Sequence, residues 1–340
     1  MSGLAYWLPV VWAVIVVVAI TIYVVLDGFD LGVGMLFAFE KDPSDRNVMV
    51  HTIAPVWDGN ETWMILGGAV LFGVFPGGYS TLLPAFYIPI ILMLLALIFR
   101  GVSFEYRILA HTEREKIVWN YGFMFGSALA SFCQGAILGG YVQGVSITNG
   151  IFSGSVMDWL SPFSLLCGLA VMCGYALLGA TWLVWRTGGA LEKRCRRWSE
   201  VLAVAMFFCI VAVSLWTPFL NAPYLRRWTE WPNIILVSPV PLLLVVCGAV
   251  MASALRKGSH RVPFFCALGW FLLTLVGLAI TVWPYAIPPS LKLWDVASPI
   301  SSQLVVLGGA VILLPIVLAY TVYSYHVFRG KVSAEDATHY

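Results

Sequence analysis

Residues 62–99 read TWMILGGAVLFGVFPGGYSTLLPAFYIPIILMLLALIF, a run without a single Asp, Glu, Lys or Arg. Just before it stand DGFDLGVG at 27–34 and WDGNETW at 57–63, which put Asp27, Asp30, Asp58 and Glu61 at the edges of apolar stretches. An uncharged run of this length belongs in hydrocarbon, where a carboxylate costs about 2.5 to 3.5 kcal/mol on insertion scales. Acids kept at such a border often mark a proton or ion path.

The rest of the chain has the same character. It is 60% hydrophobic and 11% charged, with 15 Trp in 340 residues and a mean hydropathy of +0.89, which describes a polytopic membrane protein with no soluble domain. A transmembrane helix needs ~20 apolar residues. Nine stretches qualify: about 7–30, 60–76, 81–99, 121–143, 163–185, 201–220, 233–255, 262–285 and 300–327. The expectation is an all-α integral membrane protein forming a single polytopic domain over 1–340, with its termini on opposite sides.

Lysine and arginine stay preferentially on the cytoplasmic side. One set of connections holds Lys41, Arg46, Arg100, Arg107, Arg114, Lys116, Arg186, Lys193, Arg194, Arg196, Arg197, Arg256, Lys257, Arg261, Arg329 and Lys331, whereas the other holds only Arg226, Arg227 and Lys292. The split predicts the N-terminus outside and the C-terminus in the cytoplasm. The first span lacks a basic n-region and outruns a signal-peptide core of about 7 to 15 residues, so it reads as a retained helix.

Motifs of soluble enzymes are absent: no Walker A sequence, no GxGxxG after a strand and no histidine pair at helical spacing. His51, His111, His260, His326 and His339 fall in connections, at span ends or in the C-terminal tail. Histidine ligation of a haem within a bundle is therefore not expected of this chain alone, and Met64 and Met93 read as gap-fillers. The seven cysteines occur singly, six in spans and Cys195 in a basic loop, which assigns them to packing. The run Lys193–Arg197 reads as a topology anchor at the anionic inner leaflet.

If 27–34 is helical, Asp27 and Asp30 share a face, and Gly28 and Gly32 form a small-xxx-small surface for close helix approach. From Trp7 at the outer boundary, twenty residues at ~1.5 Å each set Asp27 about 30 Å further in, near the cytoplasmic edge. Asp58 and Glu61 are again three apart, and the second span, only about 22 Å from Thr62 to Pro76, draws them toward the membrane. Two readings stand. The carboxylates can cap helices, with Asp58 and Glu61 in a box-like arrangement, or pair with Arg46, Arg100 and Arg107; alternatively, partly desolvated acids form a proton entry from the cytoplasm. Ser298-Pro299 reads as the N-cap and first turn of the ninth helix, with Asp295 just ahead of its positive end.

Asp27-Gly-Phe-Asp-Leu-Gly-Val-Gly34, Ala54-Pro-Val-Trp-Asp-Gly-Asn-Glu-Thr-Trp63 and Arg100-Gly-Val-Ser-Phe-Glu-Tyr-Arg107 resemble subunit II of the bacterial cytochrome bd quinol oxidases. Trp283-Pro-Tyr285, Pro288-Pro-Ser290, Trp294-Asp-Val-Ala-Ser298, Leu314-Pro-Ile316 and Tyr320-Thr321 continue the resemblance along essentially the whole chain, in the compact form of the family and with the cyanide-insensitive branch as a sub-assignment. The resemblance implies two four-helix bundles plus a ninth helix: helices 1–4 over about 7–143, helices 5–8 over about 163–285, and helix 9 over about 300–327. It implies a subunit of a quinol:oxygen oxidoreductase of the bacterial inner (plasma) membrane. Haem b, haem d and the quinol-oxidising loop would lie in a partner subunit I, with no catalytic residue, cofactor-binding residue or metal site in this chain.

It also implies a heterodimer in contact with lipid and the quinol pool, room for a small single-helix subunit, and no nucleic acid. A quinone is held in this subunit in some relatives, but no residue here identifies such a pocket. By resemblance Asp58 belongs to a proton path toward subunit I; the acid cluster described above adds Glu61, Asp27 and Asp30 to the expected path. Trp63 lies near an apolar dioxygen route, with Gly67 four residues on leaving a gap. The alternative is a proton-coupled secondary transporter, which would need polar groups near the midplane; spans three to nine contain no Asp, Glu, Lys or Arg.

The topology is checked by fusion and labelling. A cytoplasm-active reporter placed after Tyr340 is expected to be active, and a cysteine introduced near Trp228 is expected to label from outside. The reverse pattern at either position would overturn the orientation.

Overall fold

The computed structural model describes residues 3–332, so His339 lies outside the described residues. Within them the chain is almost entirely helical. The first half holds α1 (Gly3–Leu36), α2 (Pro43–His51), α3 (Trp57–Val74), α4 (Pro76–Ala85), α5 (Tyr87–Leu109) and α6 (Glu113–Gln143). The second holds α7 (Pro162–Arg186), α8 (Gly189–Trp216), α9 (Ala222–Thr229), α10 (Asn233–Val237), α11 (Pro239–Arg256), α12 (Val262–Val282) and α13 (Ile300–Val327). Two small antiparallel hairpins, β1 (Ile147–Thr148) with β2 (Ile151–Phe152) and β3 (Tyr285–Ile287) with β4 (Leu291–Lys292), close the connections before α7 and α13.

Eight helical segments are long and apolar enough to cross a membrane: α1, α5, α6, α7, α8 with its extension to Phe219, α10 with α11, α12 and α13. A ninth crossing exists only if α3 and α4 count as one span, and these are bent by 120° to each other. The sequence expectation of nine is therefore met only with this bent pair counted as a span, and is otherwise eight among the described residues. The break has a local cause. Phe75 leaves helical geometry at φ −120°, ψ 58°, and Pro76 then opens α4, because proline lacks an N–H and suits a first turn.

Helix starts follow local chemistry. Thr112 and Glu115 form a capping box at α6, with Glu115 N–H donating to Thr112 Oγ1 (3.2 Å) and Thr112 N–H to Glu115 Oε2 (3.3 Å). Ser161 accepts the Ser164 N–H (3.1 Å) ahead of Pro162 at the start of α7. The expected Ser298 cap is absent: Pro299 occupies the N-cap of α13 without a side-chain bond. Ser298 is used through its backbone, donating N–H to Val74 O (2.8 Å) and accepting Gln303 Nε2 (2.7 Å). Asp295 accepts the Lys292 N–H (2.9 Å), closing its own short turn rather than facing the helix end. Cys195, expected in a loop, is buried within α8, because that helix begins at Gly189 and carries the basic run on its first turns.

Close helix crossings build the interior. A Cβ on Gly32 would lie 1.9 Å from the Tyr175 carbonyl oxygen, and one on Gly179 2.5 Å from Gly32 C, so α1 and α7 touch backbone to backbone. Gly135 of α6 meets the Cys167 carbonyl of α7 in the same way, and the Ser127 hydroxyl of α6 seats at Gly34 of α1. Beyond these crossings α3 packs on α1, α5 on α6, α8 and α12 on α7, and α11 on α12.

Gly32→Ala is expected to destabilise the assembled protein by about 1 to 3 kcal/mol or more, since a packed backbone cannot retreat. Gly68→Ala, at a position with open space within 4 Å, is expected to leave thermal stability unchanged. Equal melting temperatures for the two variants would contradict this crossing.

Candidate functional site

α1 remains helical through Leu36, so Asp27 and Asp30 do share a face, and both are fully buried at 0% exposure. α5 runs past the end of its apolar stretch and turns Arg100 inward at 1% exposure. Arg100 Nη2 lies 3.3 Å from Asp27 Oδ1, and Nη1 lies 3.4 Å from Glu61 Oε2. Its guanidinium also stacks over Trp57, 5.4 Å from the ring. Arg100, one of three arginines the sequence offers as partners for the acids, is thus the cation at the centre of the site.

Asp30 is held from α3. Asn60 Nδ2 donates to Asp30 Oδ2 (2.7 Å) and to Leu26 O (3.3 Å), and Asn60 Oδ1 accepts the Tyr325 hydroxyl of α13 (3.0 Å). Three helices are tied at one amide, and the donors are oriented in sequence from Tyr325 through Asn60 to Asp30. A second oriented chain lies one turn before Asp27. The Tyr175 hydroxyl donates to Gln134 Oε1 (2.8 Å), and Gln134 Nε2 donates to Tyr23 (2.7 Å), which leaves the Tyr23 hydroxyl hydrogen free to donate.

The four acids do not share one environment. Glu61 is partly exposed at 24% and sits between the buried pair and Asp58, which lies on the exposed face of α3. Asp58 is the second residue of α3, behind an N-cap at Val56 that makes no side-chain bond, so it does not cap the helix. Its first-turn position still favours a negative charge. Trp63 is buried at 2% exposure against Ala19 and Tyr23, with Leu314 and Val317 of α13 packed alongside. Gly67 is half-buried, and a Cβ there would come no nearer than 3.9 Å to Ile20.

Chemically, the site holds three carboxyls against one guanidinium. Unpaired charge is costly in such surroundings, and Arg100 balances one negative charge. The carboxyls are graded in burial from Asp58 at the surface, through Glu61, to Asp27 and Asp30 fully enclosed. The described histidines are not part of it: His51 ends α2, His111 and His260 lie in connections, and His326 is in the last turn of α13. Among the described residues no group of three His, Cys, Asp or Glu side chains is placed to hold a metal ion.

Of the three arginines the sequence offers as partners for the acids, Arg100 pairs with Asp27 and Glu61 while Arg46 and Arg107 form no salt bridge among the described residues; sequence reasoning missed Asn60, Tyr325, Tyr23, Gln134 and Tyr175 as members of the site. Two signals were available: Asn60 lies inside the Asp58–Glu61 motif, and Gln134 is a rare amide within an apolar helix.

A family model described as cytochrome bd terminal oxidase subunit II matches residues 8–328. Similar proteins include the cytochrome bd-I ubiquinol oxidase subunit 2 of Escherichia coli strain K12, 29% identical over 361 residues covering 96% of this chain and 95% of the relative. The cytochrome bd ubiquinol oxidase subunit 2 of Bacillus subtilis is 30% identical over 337 residues, covering 97% of this chain and 98% of the relative. The probable cytochrome oxidase subunit 2 of Haemophilus influenzae is also 30% identical, over 371 residues and 96% of each chain. Among solved structures, a chain of the bd oxidase from Geobacillus thermodenitrificans has the same fold, with a TM-score of 0.74 over 94% of this chain and 98% of that one at 15% identity.

Removing Arg100 tests the charge balance. Arg100→Gln leaves buried carboxyls without their cation and is expected to cost about 3 to 5 kcal/mol, read as loss of assembled protein. Adding Asp27→Asn to it is expected to restore most of the assembly. Additive losses in the double variant would dismiss the pairing as the organising interaction.

Proposed function

Because the chain belongs to the family of cytochrome bd terminal oxidase subunit II, we propose that it serves as the haem-free subunit of a quinol:oxygen oxidoreductase in the bacterial inner membrane, where it feeds protons to a haem-bearing subunit I. Reducing dioxygen to two waters takes four electrons from two quinols, and four protons. If those protons come from the cytoplasm while quinol releases its own outside, turnover builds a proton motive force. Haem b and haem d belong to the partner in this reading, and the described histidines, all at helix ends or in connections, offer no axial ligand within a bundle.

The observation that carries the reading is the gradation of burial along the acids. Asp58 is exposed, Glu61 partly so, and Asp27 and Asp30 not at all. Arg100 stands between Glu61 and Asp27, holding both carboxyls in place. The buried pair with Glu61 acts as a store of exchangeable protons fixed by Arg100 and Asn60. Asp58 is the member turned outward, at the face from which a proton can pass to the partner.

Dioxygen enters by an apolar way. Trp63, packed between α1, α3 and α13 near the gap left by Gly67, borders that route. In this reading the spans form two four-helix bundles, α1 with α3, α5 and α6, and α7 with α8, α11 and α12, joined where α1 and α6 pack on α7, with α13 alongside α3.

Asp58→Asn keeps shape and some hydrogen bonding while removing the group that gains and releases a proton. In the intact two-subunit complex, assembly and the haem spectrum should persist while quinol-driven oxygen consumption falls about tenfold or more, equivalent to about 1.4 kcal/mol on the limiting step. The deficit should widen as pH rises, because protons from bulk water become scarcer. Near-normal turnover at alkaline pH would remove Asp58 from the path.

A further inference from the structure

A second cationic centre lies two helical turns along α5 from Arg100 and has no acid of its own. Arg107 is buried at 8% exposure, yet its bonds go to neutral partners: Nε donates to Asn120 Oδ1 (2.7 Å) and Nη2 to Asn47 Oδ1 (2.7 Å). Arg46 of α2 is half-buried, donates Nη2 to Phe37 O (3.0 Å), and has a buried Nε without any partner. Both guanidiniums stand over the same Phe37 ring, at 5.9 Å for Arg46 and 5.7 Å for Arg107.

Neither arginine takes part in a salt bridge among the described residues. Asp45, beside Arg46 in sequence, is turned away to Arg194. Glu113 is the acid with an electrostatic influence on Arg107, but it is solvent-exposed and engaged by Lys116 (3.2 Å). The stronger charged influence on Arg107 is Arg46 itself, a like charge.

Two guanidiniums brought together out of water repel each other and lose hydration. The two amides hold Arg107 in one orientation without neutralising it. An arginine fork fixed in this way, beside a second arginine with a spare N–H, has the chemistry of a phosphate site, since guanidinium donors match phosphate oxygens bidentately.

We propose that Arg46 and Arg107, with Asn47 and Asn120 as orienting groups, form a binding site for a phosphate group where the ends of α1 and α5 meet α2 and the start of α6. The sequence places this end at the cytoplasmic face, and the exposed apolar residues Phe39, Tyr106 and Leu109 lie on the same segments. Such a phosphate can come from an anionic phospholipid headgroup of the inner leaflet or from a soluble phosphate. The site is separate from the acid cluster, so it stands or falls independently of the proton reading.

The test uses the complete two-subunit complex, freed of native lipid in neutral detergent. Thermal unfolding is followed with inorganic phosphate against chloride at matched ionic strength, and in nanodiscs of phosphatidylglycerol against phosphatidylcholine. An occupied site should raise the melting temperature by about 3 °C or more. A response to inorganic phosphate assigns the site to soluble phosphate, and a response to phosphatidylglycerol alone assigns it to lipid. Asn47→Asp places a carboxylate beside Arg107 and should abolish the response while stabilising the anion-free protein. Arg107→Gln should abolish it too, and should it fail to assemble, Asn47→Asp still decides. Absence of any response in the unaltered complex, or an undiminished response in Asn47→Asp, would overturn the proposal.

Discussion

One guanidinium, that of Arg100, decides how the first half of this protein is put together. Two carboxyls on α1 are withdrawn from water and a third on α3 is partly so. That arrangement persists only if a cation and oriented donors meet them. Arg100 meets Asp27 and Glu61, and Asn60 meets Asp30. α5 and α3 are therefore fixed against α1 by charge and hydrogen bonding as well as by shape. In a bilayer, where apolar contact between helices gains little over contact with lipid, such polar ties give the packing its specificity.

The glycine crossings and the polar cluster depend on each other. Gly32 lets α1 lie against the backbone of α7, which brings Tyr175 over to the level of Gly28 and within reach of Gln134. Gly126 brings α6 against Ala96 and Arg100 of α5. With bulkier residues at these points the helices would stand apart, and the hydrogen bonds joining α1, α6 and α7 would be too long to form.

Much of this was legible in the order of residues. The uncharged run at 62–99 and the paucity of charge elsewhere required membrane helices, and the three-residue spacing placed Asp27 and Asp30 on one face, as found. Arg46, Arg100 and Arg107 were equal candidates to pair with the acids, and only Arg100 does, because a basic residue at the end of an apolar run looks the same whether it anchors outward or folds inward. Spacing likewise tied Asp58 to Glu61 without showing which of them faces out. Tyr325 and Asn60 are far apart in sequence, and no local pattern links them. The break at Phe75 was signalled by Pro76-Gly77-Gly78, a turn sequence lying inside a run whose hydropathy suggested continuity.

The last helix, α13, has almost no buried residue, and its contact at mid-length is apolar, Leu314 and Val317 against Trp63. Its polar fastenings sit at its extremities: Ser298 N–H to Val74 O just ahead of the start, then Tyr325 to Asn60, Arg186 to Phe328 O, and Val332 N–H to Arg186 O at the end. Mechanically it is a beam pinned at both ends. Its 28 residues span about 42 Å, longer than a hydrocarbon core of about 30 Å. Tilt takes up part of the excess. One of those pins runs through Asn60, so the last helix and the buried Asp30 of α1 are joined by a single amide.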